Sequence, residues 1–103
     1  MTQIEFDSLT PGKMFSVDVD GKPVCVARVG EEVFAVSNIC THAYAELSDG
    51  ELDGDVIECW LHGAQFDIRT GAVITLPATV ALETFAVDRN ENIVTISSIV
   101  KEI

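Results

Sequence analysis

No stretch of this chain is apolar for anything near the roughly 18 consecutive residues that a membrane-spanning helix needs. Basic residues are scarce, with 6 Lys and Arg against 17 Asp and Glu and a net charge of −11. Phosphate backbones and anionic lipid headgroups repel such a chain, which argues against nucleic acid and membrane surfaces as partners. The first residues, Met1-Thr2-Gln3-Ile4-Glu5-Phe6-Asp7, hold neither a basic segment nor an apolar core. They do not read as a secretion signal, and a cytoplasmic location is the expectation. No internal repeat, low-complexity tract or linker interrupts the 103 residues, so residues 1–103 read as one domain. A Gly-x-Gly-x-x-Gly element for binding a flavin or nicotinamide is also missing.

Cysteine and histidine are rare, with 3 and 2 copies. An odd cysteine count is a poor basis for a disulfide framework, and in a reducing compartment thiols serve as core residues or metal ligands. Cys25 sits in the apolar run Val24-Cys25-Val26-Ala27, where a thiol behaves as a small hydrophobe. The other two cysteines each have a histidine close by.

What the chain does have is β-branched and aromatic residues in short runs separated by turn signals. Residues 14–19 alternate, Asp20-Gly21 supplies a two-residue hairpin turn, and 24–29 return, with Pro23 at the start. Gly30-Glu31-Glu32 turns into a strand at 33–36. Between 38 and 64 the runs are shorter, with a hairpin at 52–59 around Asp53-Gly54. Strands are expected at 65–69 and 72–76, joined at Thr70-Gly71. Two more are expected at 83–88 and 93–97, joined by residues 89–92. No helical period is sustained beyond a short turn near 44–47. The class is all-β, with a loop-rich insertion.

That insertion holds Cys40-Thr41-His42 and, 16 residues on, Cys59-Trp60-Leu61-His62. Each motif offers one thiolate and one imidazole from a tight loop. Zinc accepts two sulfurs and two nitrogens, and so does a 2Fe–2S centre in which histidines replace two cysteines on one iron. A chance pairing of core cysteines with surface histidines would have to occur twice in adjoining loops.

Cys-x-His followed by Cys-x-x-His at this interval resembles the Rieske family. Ile39-Cys40-Thr41-His42, Leu47-Ser48-Asp49-Gly50, Cys59-Trp60-Leu61-His62-Gly63 and Phe66-Asp67-Ile68-Arg69-Thr70-Gly71 are similar to the small ferredoxins of bacterial aromatic-ring-hydroxylating dioxygenase systems. The resemblance implies a Rieske-like fold of stacked antiparallel sheets, with a cluster-binding subdomain at about 38–78 inserted in a β base. It implies one Rieske-type 2Fe–2S cluster per chain, its inner iron held by Cys40 and Cys59 and its outer iron by His42 and His62. A loop around Leu76-Pro77-Ala78 would cover it. The implied role is a one-electron carrier, not a catalyst. It would run from an FAD-containing, NADH-linked ferredoxin reductase to a terminal Rieske oxygenase. Alternatives are the small subunit of NADH-dependent nitrite reductase, a carrier for another oxygenase and, more distantly, a structural zinc module. The chain's two histidines are already committed to the motif, which leaves none for the second iron site of an oxygenase.

The respiratory branch of the family adds a cysteine to each ligand loop, where this chain has Ala45 and Leu61. It also carries a serine and a tyrosine whose hydroxyls donate to cluster sulfur, where this chain has Ala64 and Phe66. Those hydrogen bonds favour the reduced state, so their loss places the expected potential toward the low end of the roughly −150 to +300 mV range of Rieske centres. Among neighbouring residues, Trp60 and Leu61 are expected to pack. Gly63 is expected to permit a close backbone turn, and Tyr44 flanks the histidine side. Glu46, Asp49, Glu51, Asp53, Asp55 and Glu58 alternate along a hairpin and read as a solvated face, with a docking face as the other reading.

Overall fold

A strand whose consecutive residues are all apolar has to be covered on both faces, and residues 24–27 are such a run. The computed structural model, which describes residues 2–40, 45–60, 63–75 and 80–98, places it in β3 (Lys22–Val29). This is the middle strand of an antiparallel sheet between β2 (Met14–Val19) and β4 (Glu32–Ser37). Successive side chains leave a strand on opposite faces. Val24 and Val26 therefore enter one core, with Phe6, Leu9, Val19, Ala35, Phe85, Val94 and Ile96. Cys25 and Ala27 enter a second, with Val36, Leu47, Ile57, Phe66, Ile68 and Leu82. The middle sheet is the wall between them.

The first core is closed by β1 (Thr2–Glu5), β9 (Ala86–Asn90) and β10 (Ile93–Ser97), in the order β1-β10-β9. The second is closed by β5 (Glu51–Asp53), β6 (Val56–Glu58), β7 (Gln65–Asp67) and β8 (Val73–Thr75), in sequence order. Every strand pairing among the described residues is antiparallel, as the all-β reading expects. Arg69 ties the two upper layers together. Its guanidinium donates to Glu32 at 2.9 Å and Asp55 at 3.3 Å, and lies 4.8 Å from the centre of the Phe34 ring.

The first hairpin matches its expectation. Asp20 and Gly21 have φ of 52° and 83°, the positive pair a two-residue primed turn requires. Several boundaries move. β7 stops at Asp67 because the Ile68 N–H leaves the ladder to donate to Asp55 O at 2.9 Å. β9 begins and ends later than 83–88, at Ala86–Asn90. Residues 83 and 85 bond instead to β4, through Ser37 N to Glu83 O and Phe85 N to Ala35 O. Arg89 stays in the strand, with its guanidinium 3.4 Å from the centre of the Phe6 ring, so the turn shrinks to Glu91-Asn92. The 44–47 turn is instead a single 3-10 turn at Leu47–Asp49. The N-terminal strand β1, for which the sequence carries no strand expectation, pairs residue for residue with β10.

Candidate metal centre

Cys40 follows β4 and Cys59 follows β6, each where the chain leaves a strand that lines the second core. Both loops close the same way. The Cys40 N–H donates to Ala45 O at 2.9 Å, and the Cys59 N–H donates to Ala64 O at 2.8 Å. Each cysteine is thus tied to the carbonyl five residues on, and both side chains face inward, at 3 % and 0 % exposure. None of the three cysteines is in a disulfide. Cys25 shares the same core but lies on β3 with no such loop. Burial pushes its thiol up to about 12, so it stays a protonated core residue.

Two contacts hold the loops together. Asn38, fully buried, is the hub of the first. Its Oδ1 accepts from Ser48 N at 2.8 Å, and its backbone oxygen accepts from Leu47 N at 2.7 Å. Its Nδ2 donates to Ser16 Oγ at 3.3 Å and to Glu46 Oε1 at 3.4 Å. The second is Gly50, where a Cβ would collide with the carbonyl oxygen of Glu58, the residue before Cys59. Only a glycine lets the chain leaving the first loop rest against the strand that enters the second. Asn38 was not singled out in the sequence, because an asparagine before an apolar residue gives no sign of being buried.

His42 and His62 lie outside the described residues, as do Thr41, Tyr44, Leu61 and the covering segment expected at 76–78. Trp60 corrects its expectation. With Cys59 turned inward, the next side chain is thrown outward and is 57 % exposed, so it does not pack in a core. Gly63 has a φ of 72°, in keeping with the expected tight turn, and Glu58 Oε2 lies 3.3 Å from where its Cβ would be. Ala45, Ala64 and Phe66 are all buried against the two loops' core. A cleft of about 500 Å³ opens beside Cys59, lined by Asp49, Glu51, Glu58, Trp60 and Gly63.

Two buried thiols at equivalent points of two similarly closed loops fit the sulfur half of a 2Fe–2S site, and each short motif carries a histidine in sequence. The Rieske [2Fe-2S] domain model matches residues 2–86. The chain belongs to the Rieske family. The cofactor of this Rieske domain is accordingly a 2Fe–2S cluster of the Rieske type. It is 47% identical over 79 residues to the ferredoxin component of biphenyl 2,3-dioxygenase from Rhodococcus jostii, covering 77% of this chain and 74% of that protein. Among solved structures it resembles the ferredoxin of carbazole 1,9a-dioxygenase from Nocardioides aromaticivorans. The TM-score is 0.88 at 36% identity, covering 94% of this Rieske chain and 98% of the other. It also resembles a chain from the complex of reduced oxygenase and oxidized ferredoxin in carbazole 1,9a-dioxygenase. There the TM-score is 0.86 at 40% identity, covering 90% and 96%.

Proposed function

We propose that this Rieske domain is the ferredoxin component of an aromatic-ring-hydroxylating dioxygenase system. It would take single electrons from an FAD-containing, NADH-linked reductase and deliver them to the Rieske centre of a terminal oxygenase. In this reading Cys40 and Cys59 supply the thiolates, His42 and His62 supply the imidazoles, and residues 38–78 form the cluster-binding subdomain on a β base. The observation that carries it is the matched pair of closed loops, each presenting a buried cysteine at the head of a Cys–His motif. When bound, the cluster supplies a reversible one-electron couple.

The chain's own residues do the rest. The core around Ile57, Phe66 and Leu47 keeps water away from the thiol side. Asn38 and the close approach at Gly50 hold the two loops in fixed register, so little has to move when charge arrives. The net charge of −11 favours brief, salt-sensitive docking on basic partner surfaces. No helix of the described residues is long and apolar enough to cross a membrane, and a cytoplasmic location fits the use of NADH-linked reduction. The nitrite reductase small-subunit reading is the weaker one, because the relatives above are dioxygenase ferredoxins.

Reconstitution tests the role. With an NADH-linked flavin reductase and a terminal oxygenase, product formation should depend on this protein and fall as salt rises. Turnover indifferent to its omission would refute the assignment. The ligand set is tested apart from activity: replacing either histidine with alanine should abolish the Rieske absorption and paramagnetic signature.

A further inference from the structure

The acidic run between the two motifs does not share one fate. Asp55 is paired with Arg69, Glu46 accepts a hydrogen bond from Asn38, and Asp53 is exposed beside the β5–β6 turn. Asp49, Glu51 and Glu58 are different. They line the cleft of which Cys59 forms part of the wall, and none of them has an ion-pair partner among the described residues. No Lys or Arg occurs between Arg28 and Arg69 to offset them.

Their convergence runs against the rules of sheet stability. Glu51 and Glu58 are direct cross-strand partners, which places both side chains on the same face of the β5–β6 pair. Like charges at such positions destabilise a sheet. Glu58 is also only half-exposed, with its Oε2 held against Gly63 in the second loop. Violations of local stability rules concentrate where function needs them. These carboxylates do not form a cation site, since no group of three or more His, Cys, Asp or Glu among the described residues is arranged to hold a metal.

We propose that Asp49, Glu51 and Glu58 act as a fixed negative field that lowers the reduction potential of the centre held by Cys59, with Glu58 the principal residue. This rests on the ligand assignment of the preceding section. Reduction adds one negative charge, and local net charge is among the terms that set an iron–sulfur potential. Three neighbouring carboxylates therefore penalise the reduced state, in addition to the effect of the hydroxyls missing at Ala64 and Phe66. The three are positioning charges in the electrostatic sense; none is required as a ligand.

The test is the midpoint potential of the loaded protein, measured by optical spectroelectrochemistry in Glu58→Gln, Glu51→Gln, Asp49→Asn and the triple variant. Asp88→Asn, an exposed carboxylate on β9 of the far sheet, is the control for net charge alone. Glu58→Gln should favour reduction about threefold to tenfold, an upward shift of about 30 to 60 mV at 59 mV per tenfold for one electron. The triple variant should exceed it, while Asp88→Asn stays at the parental value. Because the cleft is open, raising salt should lift the parental potential more than that of the triple variant. Potentials for Glu58→Gln and the triple variant no higher than that of Asp88→Asn would overturn the proposal. If Glu58→Gln failed to hold the centre, the Glu51→Gln, Asp49→Asn double variant would decide by the same criterion. A parental protein that cannot be loaded anaerobically with a centre of Rieske signature would overturn the ligand assignment as well. An intact signature with unmoved potentials would overturn this inference alone.

Discussion

Replacing Gly50 with alanine isolates the contact that brings the two loops together. The backbone there has a φ of −90°, free of left-handed strain, and a ψ of −146° outside the broad β region, so a modest conformational cost adds to the steric one. The added Cβ would overlap the carbonyl oxygen of Glu58, and would also come within 3.2 Å of Leu47 O. Both neighbours are backbone atoms and cannot swing aside. Forced insertion of one carbon into a packed region costs about 1–3 kcal/mol, and the rigid collision partner puts Gly50→Ala at the upper end of that range. For a domain of this size about 1 kcal/mol lowers Tm by roughly 4–8 °C, so a fall of about 10–20 °C is expected in thermal denaturation. Gly54→Ala is the matched control. Its Cβ meets nothing within 4 Å, but its φ of +62° carries about 1–2 kcal/mol of left-handed strain. Both variants should lose stability, yet only Gly50→Ala should alter the visible spectrum and speed loss of iron, because only it displaces the strand end leading into Cys59. A Gly50→Ala protein with parental Tm and an unchanged spectrum would refute the reasoning.

Three further outcomes follow from the same geometry. Asn38→Ala removes the acceptor for Ser48 N inside a buried site and should cost about 2–3 kcal/mol. Urea unfolding monitors the loss, and iron release should accelerate with it; parental stability would contradict the hub role. Ala64→Ser restores the hydroxyl of the respiratory branch beside the second loop. It should raise the midpoint potential by about 65–130 mV, the equivalent of about 1.5–3 kcal/mol for a hydrogen bond to a charged acceptor at 59 mV per tenfold; an unmoved potential would show that no sulfur is in reach. Cys25 should resist iodoacetamide at pH 8 in the folded protein, as read by peptide mass mapping. Its folded pKa of about 12 lies above the ordinary 9.0. The stability it contributes is therefore complete below pH 9 and is lost as pH rises toward 12, because the unfolded thiol ionises first. Unfolding free energy that did not decline over that window, relative to a Cys25→Ala protein, would contradict the burial argument.

The parts of this molecule that were legible in the sequence are those governed by local rules. Asp20-Gly21 encodes its turn through two positive φ angles, and the alternation at 14–19 encodes a strand, though Phe15 of its apolar set is exposed and Met14 packs on the second core. The run at 24–27 had a further meaning, that β3 separates two cores, and this became visible only once both cores were assembled. What the sequence concealed depends on distant partners. β1 exists because β10 offers it an edge, and Asn38 is buried because the Leu47–Asp49 turn folds back over it. The spacing of the two Cys–His motifs carried the expectation of metal chemistry, yet nothing in it distinguished Trp60, turned outward, from Cys59, turned inward.

The distribution of charge answers a problem that any small carrier faces. It has to be drawn to its partners and then leave, while its centre stays poised for release of an electron. The guanidinium groups of Arg28 and Arg89 flank the Phe6 ring in the first core's layer, and Lys22 is paired with Glu83. Arg69 is held by Glu32 and Asp55, whose hydrogen bonds raise its pKa. Asp49, Glu51 and Glu58 are left without an ion pair among the described residues, in the cleft on the side of the second core, beside an exposed Trp60. In the proposed role, a basic partner surface would be steered to that side, where the exposed Trp60 offers apolar contact. Because any cation that docks there also offsets the carboxylates beside Cys59, docking and potential are linked. Linkage is reciprocal, so a partner that raises the potential on binding must bind the reduced form more tightly by the same factor.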